Sequence, residues 1–202
     1  MPKNSSPYNA AITREQFLFF ETRTTARLLN EGFSKDEAVQ KIIDENLFQY
    51  PTEKSLKKMA NCCLRRLECL GDDSLIKMLA TRPVDEAKQI CLYAMMCQYR
   101  LIWDFMITVV GEKYKKFDTS FGNMDLNVFF MQLQEQDDYV ASWSESTCKK
   151  ISSVLARILI ENEYIDNGKA TTLKPVLISR PLEAAIREAG MEVALSAFNC
   201  LA

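Results

Sequence analysis

The chain of 202 residues contains no histidine, and it has only six glycines and six prolines. Without histidine there can be no Ser-His-Asp or Cys-His catalysis, no imidazole general base and no His-ligated metal site. No two glycines are near neighbours, so no Gly-rich phosphate loop or dinucleotide fingerprint can be assembled. We therefore expect no catalytic residues, no bound metal and no cofactor, and we predict that the protein is not an enzyme.

Seven cysteines are present, an odd number with no C-x-x-C pair among them. A structural zinc site would need two closely spaced pairs of ligands, which this pattern lacks. An odd set in a chain of ordinary length is typical of free thiols in a reducing compartment. The cysteines therefore predict a cytoplasmic protein with mostly buried, unpaired thiols.

Charge is nearly balanced, with 25 basic and 27 acidic residues and a net charge of −2. A whole-surface attraction to nucleic acid or anionic lipid is therefore excluded, and any polyanion must bind to local patches. The longest apolar stretch, Ile90 to Val110, is interrupted by Gln98, Arg100 and Asp104. Those side chains would be costly in lipid, so we interpret the stretch as a buried helix and expect no membrane contact.

Helix start and stop signals recur along most of the chain. Thr13 with Gln16, and Ser34 with Glu37, have capping-box spacing, and Pro83 opens the long apolar stretch. The patterns predict helices at 14–30, 35–46, 53–69, 73–80, 83–110, 124–136, 137–142, 145–162 and 181–189. The predicted fold class is all-α, mainly helical, with one small β-hairpin wing.

The hairpin is predicted at 164–178, where an Asn167-Gly168 turn signal precedes several β-branched residues. Pro175 would confine that strand to an edge. The charged, turn-rich stretch 111–123 is the candidate domain boundary. We expect a helical domain over 10–118 and a winged-helix-like domain over 119–202, packed against it.

The predicted helix 53–69 has one apolar face and one basic face. At 100° per residue, Lys54, Lys58 and Arg65 fall within about 40° of one another. A shorter amphipathic helix and a break precede it, which is the order of a helix-turn-helix whose second helix enters a DNA major groove. The alternative is a solvated, lysine-rich surface helix. The candidate DNA-binding residues here are Lys54, Lys57, Lys58, Asn61 and Arg65.

The predicted helix 145–162 repeats the arrangement, and the hairpin follows it directly. Helix, basic helix and hairpin is the order of a winged helix. Lysine and serine suit phosphate oxygens, and arginine can also recognise guanine. A solvated face is again the alternative, but two such faces in a near-neutral chain favour DNA. The candidate residues are Lys149, Lys150, Ser153 and Arg157 on the helix, and Lys169 and Lys174 on the wing.

Other polar features have structural interpretations. The acidic pairs Asp72-Asp73 and Asp137-Asp138 are predicted to be helix caps or turns. Arg100 and Asp104 are four residues apart and predict a structural ion pair. The aromatic residues Tyr93, Tyr99, Trp103 and Phe105 are most simply core.

Several segments, in their order and spacing, resemble the BrxA family of BREX (bacteriophage exclusion) systems. They are YNAAITREQFLFFETRTTARLL from Tyr8, ENLFQYPTEKSLKK followed by Arg65-Arg66-Leu67, WDF at 103–105, and YVASWSESTCKKISSVLARILIENEYI from Tyr139. The resemblance spans nearly the whole chain.

This resemblance implies a cytosolic, mainly helical, non-enzymatic protein with helix-turn-helix elements that binds double-stranded DNA. It would act beside a DNA methyltransferase, ATPases and a phosphatase-like protein in phage defence. The family has also been likened to the RNA-binding antitermination factor NusB, which keeps RNA binding as an alternative. A scaffold that docks other BREX proteins is the alternative from a different class.

Overall fold

The computed structural model describes residues 6–200, which are mainly helical. It divides into a unit of residues 17–98 and a second unit that joins the described residues up to Gln16 to those from Tyr99 onward. This division does not coincide with the boundary predicted at 118/119. Residues 201 and 202, which end the predicted second domain, lie outside the described residues.

The unit of residues 17–98 has five helices: α1 (Phe19–Asn30), α2 (Lys35–Asp44), α3 (Glu53–Cys69), α4 (Asp73–Thr81) and α5 (Val84–Gln98). α1 packs against α2, α3 and α4, and α5 packs against α3 and α4. Leu28, Ile42, Met59 and Cys63 belong to the core cluster where the apolar sides of α1, α2 and α3 meet.

Capping residues mark the N-termini of several helices. At α2, Ser34 accepts a hydrogen bond from Glu37 N, and the Glu37 carboxylate accepts one from Ser34 N, so the predicted capping box is confirmed. Asp72 accepts from Ser74 N at 2.7 Å and caps α4, and Asp137 accepts from Val140 N at 2.9 Å and caps a later helix. Both acidic pairs therefore supply caps, as predicted.

The second unit contains α6 (Arg100–Phe105), a π-helical turn (Met106–Gly111), α7 (Glu112–Lys115), α8 (Asn123–Gln136), α9 (Asp138–Ala141), α10 (Glu145–Glu161) and α11 (Arg180–Glu188). Short 3₁₀ segments cover Ala11–Thr13 and Glu192–Phe198. The apolar side of α10 is buried, including Ile151, Leu155 and Leu159. α10 packs against the first 3₁₀ segment, and the π-helical turn packs against the last.

Two helix predictions need correction. The helix expected from residue 14 begins at Phe19, because Leu18 adopts a left-handed conformation (φ 48°) and the Thr13 hydroxyl donates to the Ala10 carbonyl. The helix expected over 83–110 is broken at Tyr99, whose backbone is extended (φ −120°, ψ 108°). The Tyr99 hydroxyl donates to Glu15 at 2.5 Å, a contact between residues 84 positions apart that no local pattern encodes.

The predicted hairpin at 164–178 is not formed. Within residues 6–200 strand pairing is limited to one antiparallel bridge, between Ser120 and Thr172. The turn forms, since Asn167 Oδ1 accepts from Lys169 N at 2.9 Å, but Leu173 N then donates to the Thr119 carbonyl at 2.7 Å. The segment after the turn therefore bonds mainly to residues 119–121, which removes the expected partner strand.

The core predictions are largely confirmed. Tyr93, Tyr99 and Phe105 are buried, and Trp103 is half-buried. Arg100 Nε donates to Asp104 Oδ2 at 2.8 Å, which confirms the predicted ion pair. None of the seven cysteines, which all lie among residues 6–200, forms a disulfide. Three of them are buried, three are half-buried and Cys69 is exposed, so the prediction of mostly buried thiols is not confirmed. No helix among residues 6–200 is long and apolar enough to cross a membrane.

Candidate nucleic-acid interface

The basic face of α3 lies in solvent because the opposite face of the helix is core. Thr52 caps the helix by accepting a hydrogen bond from Ser55 N at 3.2 Å. Leu56, Met59 and Cys63 are buried, since they recur at the three- and four-residue spacing of one helix side. The exposed candidates are Lys54, Lys57, Lys58 and Arg65.

Asn61 is the exception among the candidates on α3. It is half-buried, and its Nδ2 donates to the Lys57 carbonyl oxygen at 2.8 Å. One amide hydrogen is therefore already used within the helix. A contact with DNA would have to use the remaining hydrogen or the amide oxygen.

The cations of the first two turns of α3 have no carboxylate partners in the described part of the chain. Lys54, Lys57 and Lys58 form no ion pair among residues 6–200. Glu68, the acid nearest to this face by its angle around the helix axis, forms an ion pair with Lys35 of α2 at 2.7 Å. These three lysines therefore keep their positive charge without a neutralising carboxylate among residues 6–200.

The connection between α2 and α3 is longer than the three or four residues usual in a helix-turn-helix. It spans residues 45–52, and Asn46 and Gln49 take positive φ angles of 47° and 56°. The Asn46 side chain fixes it, accepting from Tyr50 N at 3.0 Å and donating to the Tyr50 carbonyl at 3.1 Å. Two amphipathic helices are thus joined by an ordered connection rather than a flexible loop.

The basic face of α10 is also exposed, but two of its cations are paired. Lys149 lies 2.6 Å from Glu145, and Arg157 lies 3.9 Å from Glu161. Lys150 forms no ion pair among the described residues. The Ser153 hydroxyl donates to the Lys149 carbonyl at 2.9 Å, which orders it against the helix. Lys149 and its hydrogen bond lower the pKa of Glu145, so that carboxyl stays ionised.

A groove of about 810 Å³ runs beside this face, between α8 and α10. Three of the predicted residues, Lys149, Ser153 and Arg157, line it, and Lys150 does not. Three residues that were not predicted from the sequence also line it, namely Asn123, Asn127 and Ser152. No sequence signal identifies the two asparagines, because their role depends on how α8 lies beside α10.

The two wing candidates lie in the irregular segment after α10, and they differ in pairing. Lys174 Nζ contacts Asp166 Oδ1 at 2.5 Å. The Lys169 side chain has no hydrogen-bonding or ionic partner among residues 6–200. Gly168, directly before Lys169, is among the residues that line the groove. The Lys169 side chain is thus available to an anion, whereas Lys174 would first have to leave Asp166.

A third residue, Tyr8, joins the Arg100–Asp104 pair, and no sequence pattern indicates it. The Tyr8 hydroxyl donates to Asp104 Oδ2 at 2.8 Å. Burial and the Asp104 carboxylate raise the pKa of Tyr8 to about 12, so the phenol stays protonated and keeps donating. The cluster satisfies a nearly buried carboxylate, which is a structural role.

Comparison with known proteins identifies the family. A family model described as BrxA matches residues 6–190. A "BREX protein BrxA" from Bacillus cereus (strain H3081.97) is 38% identical over 87% of this chain and 85% of its own length. The "BREX protein BrxA" of Paramagnetospirillum magneticum is 28% identical, over 90% of each chain.

A solved structure agrees with this similarity. The crystal structure of an uncharacterized protein from Magnetospirillum magneticum has a TM-score of 0.80 and 26% identity, covering 96% of this chain and 98% of that one. The similarity therefore extends over the whole fold rather than one segment. The chain belongs to the BrxA family.

Proposed function

We propose that this protein is a cytoplasmic, non-enzymatic accessory component of a BREX phage-defence system that binds double-stranded DNA. BrxA relatives are named as BREX proteins, which supports the system. The observation that carries DNA binding is the row of exposed Lys54, Lys57 and Lys58 on α3, which have no carboxylate partner among residues 6–200. Unneutralised lysines on one helix face suit a phosphate backbone.

Each of the two units offers one helical element as a candidate surface for duplex DNA in this proposal. The first is α2 with α3, as a helix-turn-helix whose connection is longer than usual. The second is α10, with the irregular segment carrying Lys169 in the position of a wing. Lysine predominates on both, and lysine discriminates bases poorly, so we expect salt-sensitive binding with little sequence preference.

A scaffold role is the second candidate, and one observation favours it. Met124, Val128 and Met131 form an exposed apolar stripe along α8, with Met124 77% exposed. Contiguous apolar surface of this kind is typical of protein contacts. Other BREX proteins, such as a methyltransferase, an ATPase or a phosphatase-like component, would then be the partners.

The proposal is tested by fluorescence anisotropy of the purified protein with a labelled duplex at several salt concentrations. We expect affinity to fall steeply as salt rises, in a linear relation between log affinity and log salt. Duplexes of unrelated sequence should bind alike. No duplex binding at low salt contradicts the proposal, and tighter binding of single-stranded RNA of equal length supports the RNA alternative.

A further inference from the structure

The groove between α8 and α10 is lined by both apolar and polar side chains. Leu126, Ala156 and Ile160 supply apolar surface. The polar lining comprises the amides of Asn123 and Asn127 on α8 and the cations of Lys149 and Arg157 on α10. One carboxylate, that of Glu161, also lines the groove and lies 3.9 Å from Arg157. A ligand that combines apolar edges with anionic groups fits this lining.

The surface beside α10 is concave, whereas a recognition helix presents a convex surface to DNA. A helix that enters the major groove must stand out from the protein surface so that its side chains reach the base edges. On α10 the cations Lys149 and Arg157 instead line a depression shared with α8. The part of a duplex that projects outward is its sugar–phosphate backbone, and it is the part that a depression can receive.

A single-stranded nucleic acid fits the groove less well. Proteins that bind single strands combine a basic channel with aromatic side chains on which the bases stack. None of the described residues that line this groove is aromatic. The deoxyribose of a backbone needs no such platform, since it can contact small apolar side chains such as Ala156.

We infer that the groove between α8 and α10 binds the sugar–phosphate backbone of one strand of a DNA duplex. The inference rests on the proposed function and adds Asn123, Asn127 and Ser152 to the contact surface. Phosphates displace the carboxylates of Glu145 and Glu161 from Lys149 and Arg157. The Arg157–Glu161 pair is open enough at 3.9 Å to exchange partners readily.

Two neighbouring lysines provide the sharpest test. Lys149 lines the groove and Lys150 does not, although both are exposed on α10. Lys149→Ala should make the plot of log affinity against log salt shallower by about one unit. The inference withdraws Lys150, a candidate predicted from the sequence, from the contact surface, so Lys150→Ala should leave the plot nearly unchanged. The comparison is stringent because Lys149 is paired with Glu145 and Lys150 has no ion pair among the described residues. If only unpaired charge mattered, Lys150→Ala would have the larger effect on DNA binding.

A second pair of variants changes α8 alone. Asn127→Asp places a carboxylate in the part of the groove lining that α8 supplies, and it should weaken duplex binding about fivefold at low salt. Gln132→Glu adds the same charge five residues further along, about 140° round the helix, outside the groove lining. It should bind like the unmodified protein. Asn127→Lys should strengthen binding by a similar factor.

A third variant fills the depression without removing charge. Ala156→Phe adds a large side chain to the groove lining and should reduce duplex affinity by about tenfold or more. Ala184→Phe, at an exposed position of α11, controls for added bulk. Circular dichroism and thermal melting of each variant confirm that it is folded.

The outcomes distinguish a wrong assignment of the groove from a wrong proposed function. If the unmodified protein binds duplex DNA, but Lys149→Ala matches Lys150→Ala and Ala156→Phe binds normally, the groove assignment is wrong and DNA binding stands. If a single-stranded competitor binds more tightly and depends on Ala156, a single strand is the ligand and the inference is overturned. If no duplex binds, the proposed function fails and the inference fails with it.

Discussion

The guanidinium of Arg66 donates from Nη1 to the Phe17 carbonyl oxygen at 2.6 Å, inside the unit of residues 17–98. Its Nε also contacts Gln98 Oε1 at 3.3 Å. The side chain is fully buried and joins the first and last residues of that unit. Arg65, its neighbour, is exposed on the basic face of α3. Of these adjacent arginines, Arg66 therefore holds the fold together from the core, whereas Arg65 faces solvent.

Replacing Arg66 should destabilise the fold strongly. Arg66→Ala leaves the Phe17 carbonyl without its strongest donor and opens a cavity, so we expect the free energy of unfolding to fall by about 3 kcal/mol. Arg65→Ala is the matched control and should change it by less than about 0.5 kcal/mol. Urea unfolding followed by circular dichroism measures both, and equal effects would contradict the assignment.

Removing the basic face of α3 should weaken DNA binding without unfolding the protein. Changing Lys54, Lys58 and Arg65 together to alanine removes about three phosphate contacts. The plot of log affinity against log salt should become shallower by about 2–3 units. Lys77, Lys115 and Lys116, also exposed, are the control triple because their loss changes the net charge equally. A scaffold protein would show no difference between the two triples.

The two lysines after α10 should contribute unequally. Lys169 has no side-chain partner among residues 6–200, whereas Lys174 is bound to Asp166. We therefore expect Lys169→Ala to lower duplex affinity more than Lys174→Ala, since a phosphate must compete with a carboxylate for Lys174. Anisotropy titration at one low salt concentration measures the order, and the reverse order would show that Lys174 leaves Asp166 to bind DNA.

Gly111 should tolerate no side chain. A Cβ at this position would lie 2.6 Å from the Ser196 hydroxyl oxygen, in the contact between the π-helical turn and the last 3₁₀ segment. Gly111→Ala should lower the free energy of unfolding by about 1–3 kcal/mol, and adding Ser196→Gly should restore part of it. Gly168, whose Cβ position is open, is the control, and Gly168→Ala should have little effect.

The buried thiols should make the protein less stable in alkali. Burial raises the pKa of Cys63 to about 12 and that of Cys91 to about 11. Unfolded thiols ionise from about pH 8.5, so above that pH the unfolded chain loses protons that the folded chain retains. The stabilisation is complete below pH 8.5 and is lost as pH rises through 11. Melting temperatures measured from pH 7 to 10 should fall, and Cys63→Ala with Cys91→Ala should reduce that dependence.

Much of the helical structure follows from neighbouring residues. Ser34 with Glu37, Thr52 with Ser55, and the spacing of Leu56, Met59 and Cys63 act within single turns of a helix, so the sequence located α2 and α3 closely. The same spacing determined that Lys54, Lys57 and Lys58 would be exposed. When the apolar side chains of a helix place one face in the core, the side chains of the opposite face are exposed to solvent.

Tertiary structure decided what depends on residues far apart in the chain. Tyr99 ends a helix while bonding to Glu15, and residues 171–173 pair with 119–121 instead of completing a hairpin. Lys149 lines a groove and Lys150 does not, and that groove exists because α8 lies beside α10. The sequence determined which side chains are charged and which helix faces carry them. Long-range packing decided which of those charges line a concave surface, because packing depends on contacts that no local periodicity records.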